Sequence, residues 1–305
     1  VNGIYDAIIV GGGPSGSAAA AHVARYQWKT LLLDKGVGEG FLGSFGNAGC
    51  FPGFPDATGG SEIVGRLRSQ LEKSGGTVKT VNIDGIDFEG TSLTVIAAND
   101  RWQGRAVVLA TGAAARTGYL GGEREFFGSG VFHDAHTEAP CVDRQVVAVI
   151  GKTKVAVDET LFLSQFAEKI YFVIPSNRLD VDNRVMSQIQ HEKKIELLFS
   201  TSLKTINGQG SVNSITVFSG GQEKEIPVTA VFTYMHDYQQ MNQFLKGKVE
   251  TSQNGAVMVS DQFETSVPGV FACGDILCAK PQIPVISLAQ GILAGINVNQ
   301  YLSKT

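Results

Sequence analysis

Four cysteines and one glycine-rich turn are the residues of this sequence best suited to chemistry. Cys50, Cys141, Cys273 and Cys278 are too few and too scattered for a disulfide scaffold. No CxxC occurs, so a structural zinc site has no support. The turn is better defined. In DAIIVGGGPSGSAAAAHV, Gly11-x-Gly13-x-x-Gly16 follows a short apolar run and opens an Ala-rich helix, with Pro14 and Ser15 between the second and third glycines. That arrangement presents backbone N–H groups to the pyrophosphate of a dinucleotide. Asp34 closes the next strand 18 residues after Gly16, where a carboxylate accepts hydrogen bonds from a ribose 2′-OH.

A second strand–turn–helix unit, VAVIGKTKVAVDETLFL, spans Val147 to Leu163. Superposing the two units sets Gly11 on Gly151, Gly13 on Thr153, Gly16 on Ala156 and Asp34 on Ile174. The middle glycine and the ribose acid are therefore absent from the second unit, and an apolar side chain cannot accept from a hydroxyl. Lys152 and Lys154 flank Thr153. They either offer point charges to a different pyrophosphate or line a solvated loop.

The elements that must position these groups follow from pattern. Asp6 to Val10 and Thr30 to Leu33 read as strands, and Gly59 to Gly75 as an amphipathic helix ended by a glycine pair. Short alternating strands are expected from Thr77 to Ala98, and an apolar strand from Ala106 into a Thr-Gly turn. The second unit runs from Gln145 to Pro175. After it come a helix near Asn183 to Lys193, strands near Glu196 to Phe218, and another near Val228 to Thr233. GVFACGDILC reads as a buried strand leading into Gly274-Asp275, and a closing helix is expected from Pro284 to Leu302.

Taken together, IIVGGGPSG, FPGFP, ATGAAAR, VAVIG, VPGVFACGD and the closing helix occur in the order found in low-molecular-weight thioredoxin reductases, and the chain resembles that family over nearly its full length. The resemblance implies an α/β, two-domain thioredoxin reductase-like fold. A Rossmann-type FAD domain would comprise residues 1–115 and 245–305, with a smaller, degenerate NADPH-type domain inserted at 116–244. It also implies that Gly11 to Gly16 hold the FAD pyrophosphate and that Asp34, with Lys35 beside it, holds the adenosine ribose. Thr111 and Gly112 would pass close to the cofactor. Asp275, after Gly274, would bond the ribityl chain, and the segment at Gln282 and Ile283 would bring backbone N–H groups toward the flavin.

Two family features are missing. The redox-active CxxC falls on DAHT, Asp134 to Thr137, and the His-Arg-Arg that reads the NADPH 2′-phosphate falls on Ile174-Pro175-Ser176, with only Arg178 basic nearby. In both absences the chain is similar to the diflavin-linked disulfide oxidoreductases of phototrophic bacteria. That closer resemblance implies two FAD per chain, the second at Gly151, Lys152, Thr153 and Lys154, and no use of pyridine nucleotide. The dithiol expected beside the flavin is Cys50, on the segment bordering the ring, with Cys278, on the loop returning to it. Cys273 is the sequence-local rival and otherwise a buried small hydrophobe. His136 alone among the histidines falls within DAHT, and it is assigned no catalytic role.

Composition narrows the function classes. Hydrophobic residues at 43% and charged residues at 18% are those of an ordinary globular protein. The net charge of −4 with no basic run argues against nucleic acid as a partner. No apolar stretch has the ~20 residues of a membrane span. The opening VNGIYDAIIVGGG lacks the marks of a signal peptide, so the expected location is the cytoplasm. The leading expectation is an FAD-dependent disulfide oxidoreductase independent of NAD(P)H, a homodimer. It would move electrons between an unidentified dithiol or disulfide protein, two stacked flavins and an unidentified acceptor. The alternatives are a ferredoxin-fed thioredoxin reductase-like enzyme and a non-catalytic flavin-binding sensor or scaffold.

Overall fold

The computed structural model describes residues 4–36, 42–44, 51–54, 58–88, 93–112, 120–123, 125–235, 245, 247–252, 255–277 and 283–304. The chain divides into two compact units, one of Val1–Ala115 with Asp237–Thr305 and the other of Arg116–His236.

In the first unit, β1 (Ile4–Val10), β2 (Thr30–Asp34), β3 (Thr77–Thr80), β4 (Gly85–Asp87), β5 (Leu93–Ala97) and β6 (Asp100–Leu109) form one sheet in the order β3-β2-β1-β6-β5-β4. The strand at Val270–Ala272, numbered β15 in chain order, pairs with the last residues of β6. β1 lies parallel between β2 and β6, and Ala7 to Val10 are all buried. A strand covered on both faces needs an uninterrupted apolar run, which AIIV supplies. Its side chains alternate: Ala7 and Ile9 enter a core shared with Ala19, Val23, Ala294 and Val298, whereas Ile8 and Val10 enter one shared with Val95, Trp102 and Val257. β6 starts earlier than its apolar half because Asp100 to Gly104 pair antiparallel with β5, a largely polar stretch that hydrophobicity alone does not mark.

The helices of this unit are α1 (Pro14–Arg25), α2 (Gly60–Lys73) and, at the end of the chain, α6 (Pro284–Leu302). α1 packs on α6, and its run of alanines keeps the two backbones close. Among the described residues no helix is long and apolar enough to cross a membrane.

The second unit holds β7 (Val131–Phe132), α3 (Ala135–Glu138), β8 (Val146–Gly151), α4 (Lys154–Leu163), β9 (Lys169–Val173), α5 (Asn183–His191), β10 (Ile195–Leu198) and β14 (Ala230–Tyr234). Its parallel sheet has the order β10-β9-β8-β14-β7. A separate antiparallel sheet contains β11 (Ser202–Gly208), β12 (Val212–Ser219) and β13 (Gln222–Pro227). β13 was not anticipated. Its QEKE stretch is exposed, and charged side chains on an edge strand hide the strand pattern while discouraging further pairing.

Candidate functional site

The first unit's site is built at the C-terminal ends of β1 and β2. Gly11 leaves β1 with φ +105°, and a Cβ there would lie 2.3 Å from the Ala110 carbonyl oxygen, so only glycine fits. Gly16 lies against the same turn, since a Cβ would fall 1.8 Å from the Gly11 carbonyl oxygen. At Gly13 a Cβ would meet nothing within 4 Å. Gly13 is also the N-cap of α1, and no side chain caps that helix. The first N–H groups of α1 therefore border an open cradle, which suits an anion at a helix N-terminus. Pro14 is the first helical residue, where its missing N–H costs nothing, and Ser15 is buried behind it.

Asp34 is half-buried at the end of β2. Its carboxylate accepts from the Gly12 N–H at 2.6 Å and the Gly36 N–H at 2.8 Å. It also forms an ion pair with Arg68, whose side chain reaches it from α2. Arg68 is almost completely buried, and its Nε–H has no acceptor. Its Nη2 lies over Gly12, where a Cβ would approach it to 2.7 Å. Thr111, just beyond β6, has a buried hydroxyl that is likewise unpartnered. Lys35 is exposed. Gly274 donates its N–H to the Gln290 side chain at 2.9 Å, and the Asp275 carboxylate accepts from the Ser287 hydroxyl at 2.6 Å. Ile283 is the N-cap of α6.

This arrangement suits the adenosine half of FAD. An open helix N-terminus faces a buried acid, and two buried donors have nothing to donate to. Sequence reading missed Arg68. The available signal was a charged residue on the apolar face of α2, four positions after Val64 and three before Leu71.

Cys50, Cys278 and Gln282 lie outside the described residues. Cys273 is fully buried; burial pushes its thiol up to about 12, despite a hydrogen bond with Ser15 that acts in the other direction. Cys141 is exposed, and partial desolvation together with the Glu138 carboxylate raises its thiol as well. Neither has the lowered pKa of a reactive cysteine.

In the second unit, Gly151 ends β8, and Lys152, Thr153 and Lys154 are exposed. Thr153 caps α4 itself, its hydroxyl accepting from the Ala156 N–H at 3.4 Å. Lys154 pairs with Asp158 one turn along at 2.6 Å. Ile174 is fully buried in the core of this unit, so no ribose acceptor stands where Asp34 stands in the first. The DAHT segment contributes α3. Glu159 accepts from the Ala135 N–H at 2.9 Å and from the Tyr234 hydroxyl at 3.2 Å, and its other oxygen lies 3.4 Å from His136 Nδ1. Burial, with Glu159 and Asp134 close by, pushes the Tyr234 phenol well above its ordinary value.

The family model described as pyridine nucleotide-disulphide oxidoreductase matches residues 5–292. A thioredoxin reductase of Aquifex aeolicus is 32% identical, covering 98% of this chain and 94% of that protein. A thioredoxin reductase of Peptoclostridium litorale is 30% identical, covering 99% and 98%. The crystal structure of thioredoxin reductase from Streptococcus pyogenes superposes with a TM-score of 0.88 at 25% identity, over the whole of both chains. These matches overturn the expectation of a pyridine-nucleotide-independent enzyme with two stacked flavins. The family is defined by its pyridine nucleotide, and the relatives are thioredoxin reductases. The geometry removes the ground for that expectation too. Lys154 already has a partner in Asp158, and Thr153 caps the Ala156 N–H, so neither residue marks the turn for a second flavin over a nicotinamide nucleotide.

Proposed function

The chain belongs to the thioredoxin reductase-like pyridine nucleotide-disulphide oxidoreductase family, and from that premise we propose that it binds one FAD and carries electrons from a reduced nicotinamide nucleotide to the disulfide of a thioredoxin-like protein. The observation that carries this reading is the first unit's cradle: the uncapped N-terminus of α1, with Asp34 beside its opening turn. Asp34 would hold the adenosine ribose, the first turn of α1 the pyrophosphate, and Asp275 the ribityl chain. FAD, when bound, supplies a two-electron carrier able to serve both a nicotinamide and a disulfide.

Opening a protein disulfide takes two electrons and two protons and needs a dithiol that ionises in the working pH range. Cys273 and Cys141 are unsuited, their thiols being raised. Cys50 and Cys278 remain the dithiol of this reading, Cys50 because it adjoins the FPGFP segment and Cys278 because it lies three residues after Asp275. A homodimer, as the resemblance implies, belongs to the same reading.

The test is to quantify released flavin against protein and then titrate the enzyme anaerobically with NADPH and NADH. A ratio near one, with flavin bleached by a nucleotide and reoxidised by a thioredoxin disulfide, supports the reading. A chain without flavin overturns it. A ferredoxin-fed enzyme is the second reading, favoured by the Thr153 cap and by the buried Ile174. Flavin untouched by either nucleotide but bleached by reduced ferredoxin would decide for it.

A further inference from the structure

We infer that Arg68 is a specificity residue of the adenosine-ribose subsite, with its buried Nε–H as the donor to a ribose oxygen; this rests on the FAD reading above. Asp34 already has two backbone donors, Gly12 and Gly36, which orient its carboxylate without help. Arg68 adds a third bond through Nη2, leaving about one of the carboxylate's four lone-pair directions for a ribose hydroxyl. That hydroxyl would then lie next to a guanidinium whose Nε–H has no partner.

A buried charged group with an unsatisfied donor is costly to keep, and a ligand oxygen would satisfy it. Gly12 is neither the first, second nor third glycine of the motif, yet the guanidinium lies where its Cβ would be. The triple glycine thus makes room for an arginine as well as for a pyrophosphate. Gly12 is needed by the ion pair in any case, since a Cβ there would also lie 2.9 Å from Asp34, but an ion pair serving only to fasten α2 to β2 would not need the free Nε–H.

The experiment uses the full chain stripped of flavin, with ADP and 2′,3′-dideoxy-ADP as calorimetric probes and FAD as a third ligand. Arg68→Met should weaken ADP and FAD at least tenfold and leave dideoxy-ADP within twofold, so the ratio of the two ADP affinities collapses. Arg68→Lys, which keeps the charge without the Nε–H, should collapse the ratio as well. Should Arg68→Met fail to fold, Arg68→Lys alone carries the comparison. Equal losses for ADP and dideoxy-ADP would show a purely structural arginine and overturn the inference, as would no loss at all. A wild-type chain that binds ADP but not FAD sinks the flavin reading, and the ratio still decides Arg68. One that binds neither sinks both.

Discussion

The carboxylate of Asp34 accepts the Gly12 N–H at 2.6 Å, so the acid that ends β2 is tied to the turn that opens α1. The two halves of the cradle are thereby registered to each other before any ligand arrives. That preorganisation lowers the ordering cost of binding.

Replacing Asp34 separates the acid's two roles. Asp34→Ala leaves the Arg68 charge buried and unpaired, which should cost about 3–5 kcal/mol of stability in the flavin-free protein. Asp34→Asn keeps one acceptor and should cost less while still weakening FAD. Urea denaturation of both variants, compared with wild type, checks the order; equal stabilities would contradict a buried pair.

The Cys273 thiol makes stability depend on alkali. Its ordinary value of 9.0 is raised to about 12 by burial, so the folded chain holds this proton more tightly than the unfolded one. The contribution is complete below the unfolded value and is lost as pH rises from about 9 toward 12. Stability measured across that range should fall, and Cys273→Ala should flatten part of the slope. At pH 8 the native thiol should resist alkylation that the exposed Cys141 accepts.

Thr153 should trade helix stability against nucleotide binding. Its cap is long and exposed, so Thr153→Ala should cost about 0.5–1 kcal/mol, the low end for such caps. Thr153→Gly should cost only a few tenths of a kcal/mol. It also opens the turn, so NADPH affinity, measured by the flavin bleaching titration, should rise. An unchanged titration would place the nucleotide elsewhere.

Cys50→Ser and Cys278→Ser should each retain FAD and lose turnover with a thioredoxin disulfide. Flavin content is read from the visible spectrum and turnover from nucleotide oxidation. Normal turnover in either variant removes that residue from the dithiol.

Much of this protein was written locally. The period-2 and continuous apolar runs determined β1 and β2, and Pro284 with the apolar stretch after it determined α6 from its first residue to its last. The glycine spacing and Asp34 likewise marked the cradle, because turn geometry and hydrogen-bonding capacity belong to residues a few positions apart. Arg68 was not legible, since its partner lies 34 residues away and only the packing of α2 against β2 brings them together. Lys152 and Lys154 had the right chemistry for an anion, but Lys154 pairs with Asp158 and the Thr153 hydroxyl caps α4, partners that the turn's sequence did not announce. Cys273 was open as a redox thiol until its enclosure in the core was known. Charge, burial and partner choice are set by what the fold places around a side chain, and those neighbours come from distant parts of the chain.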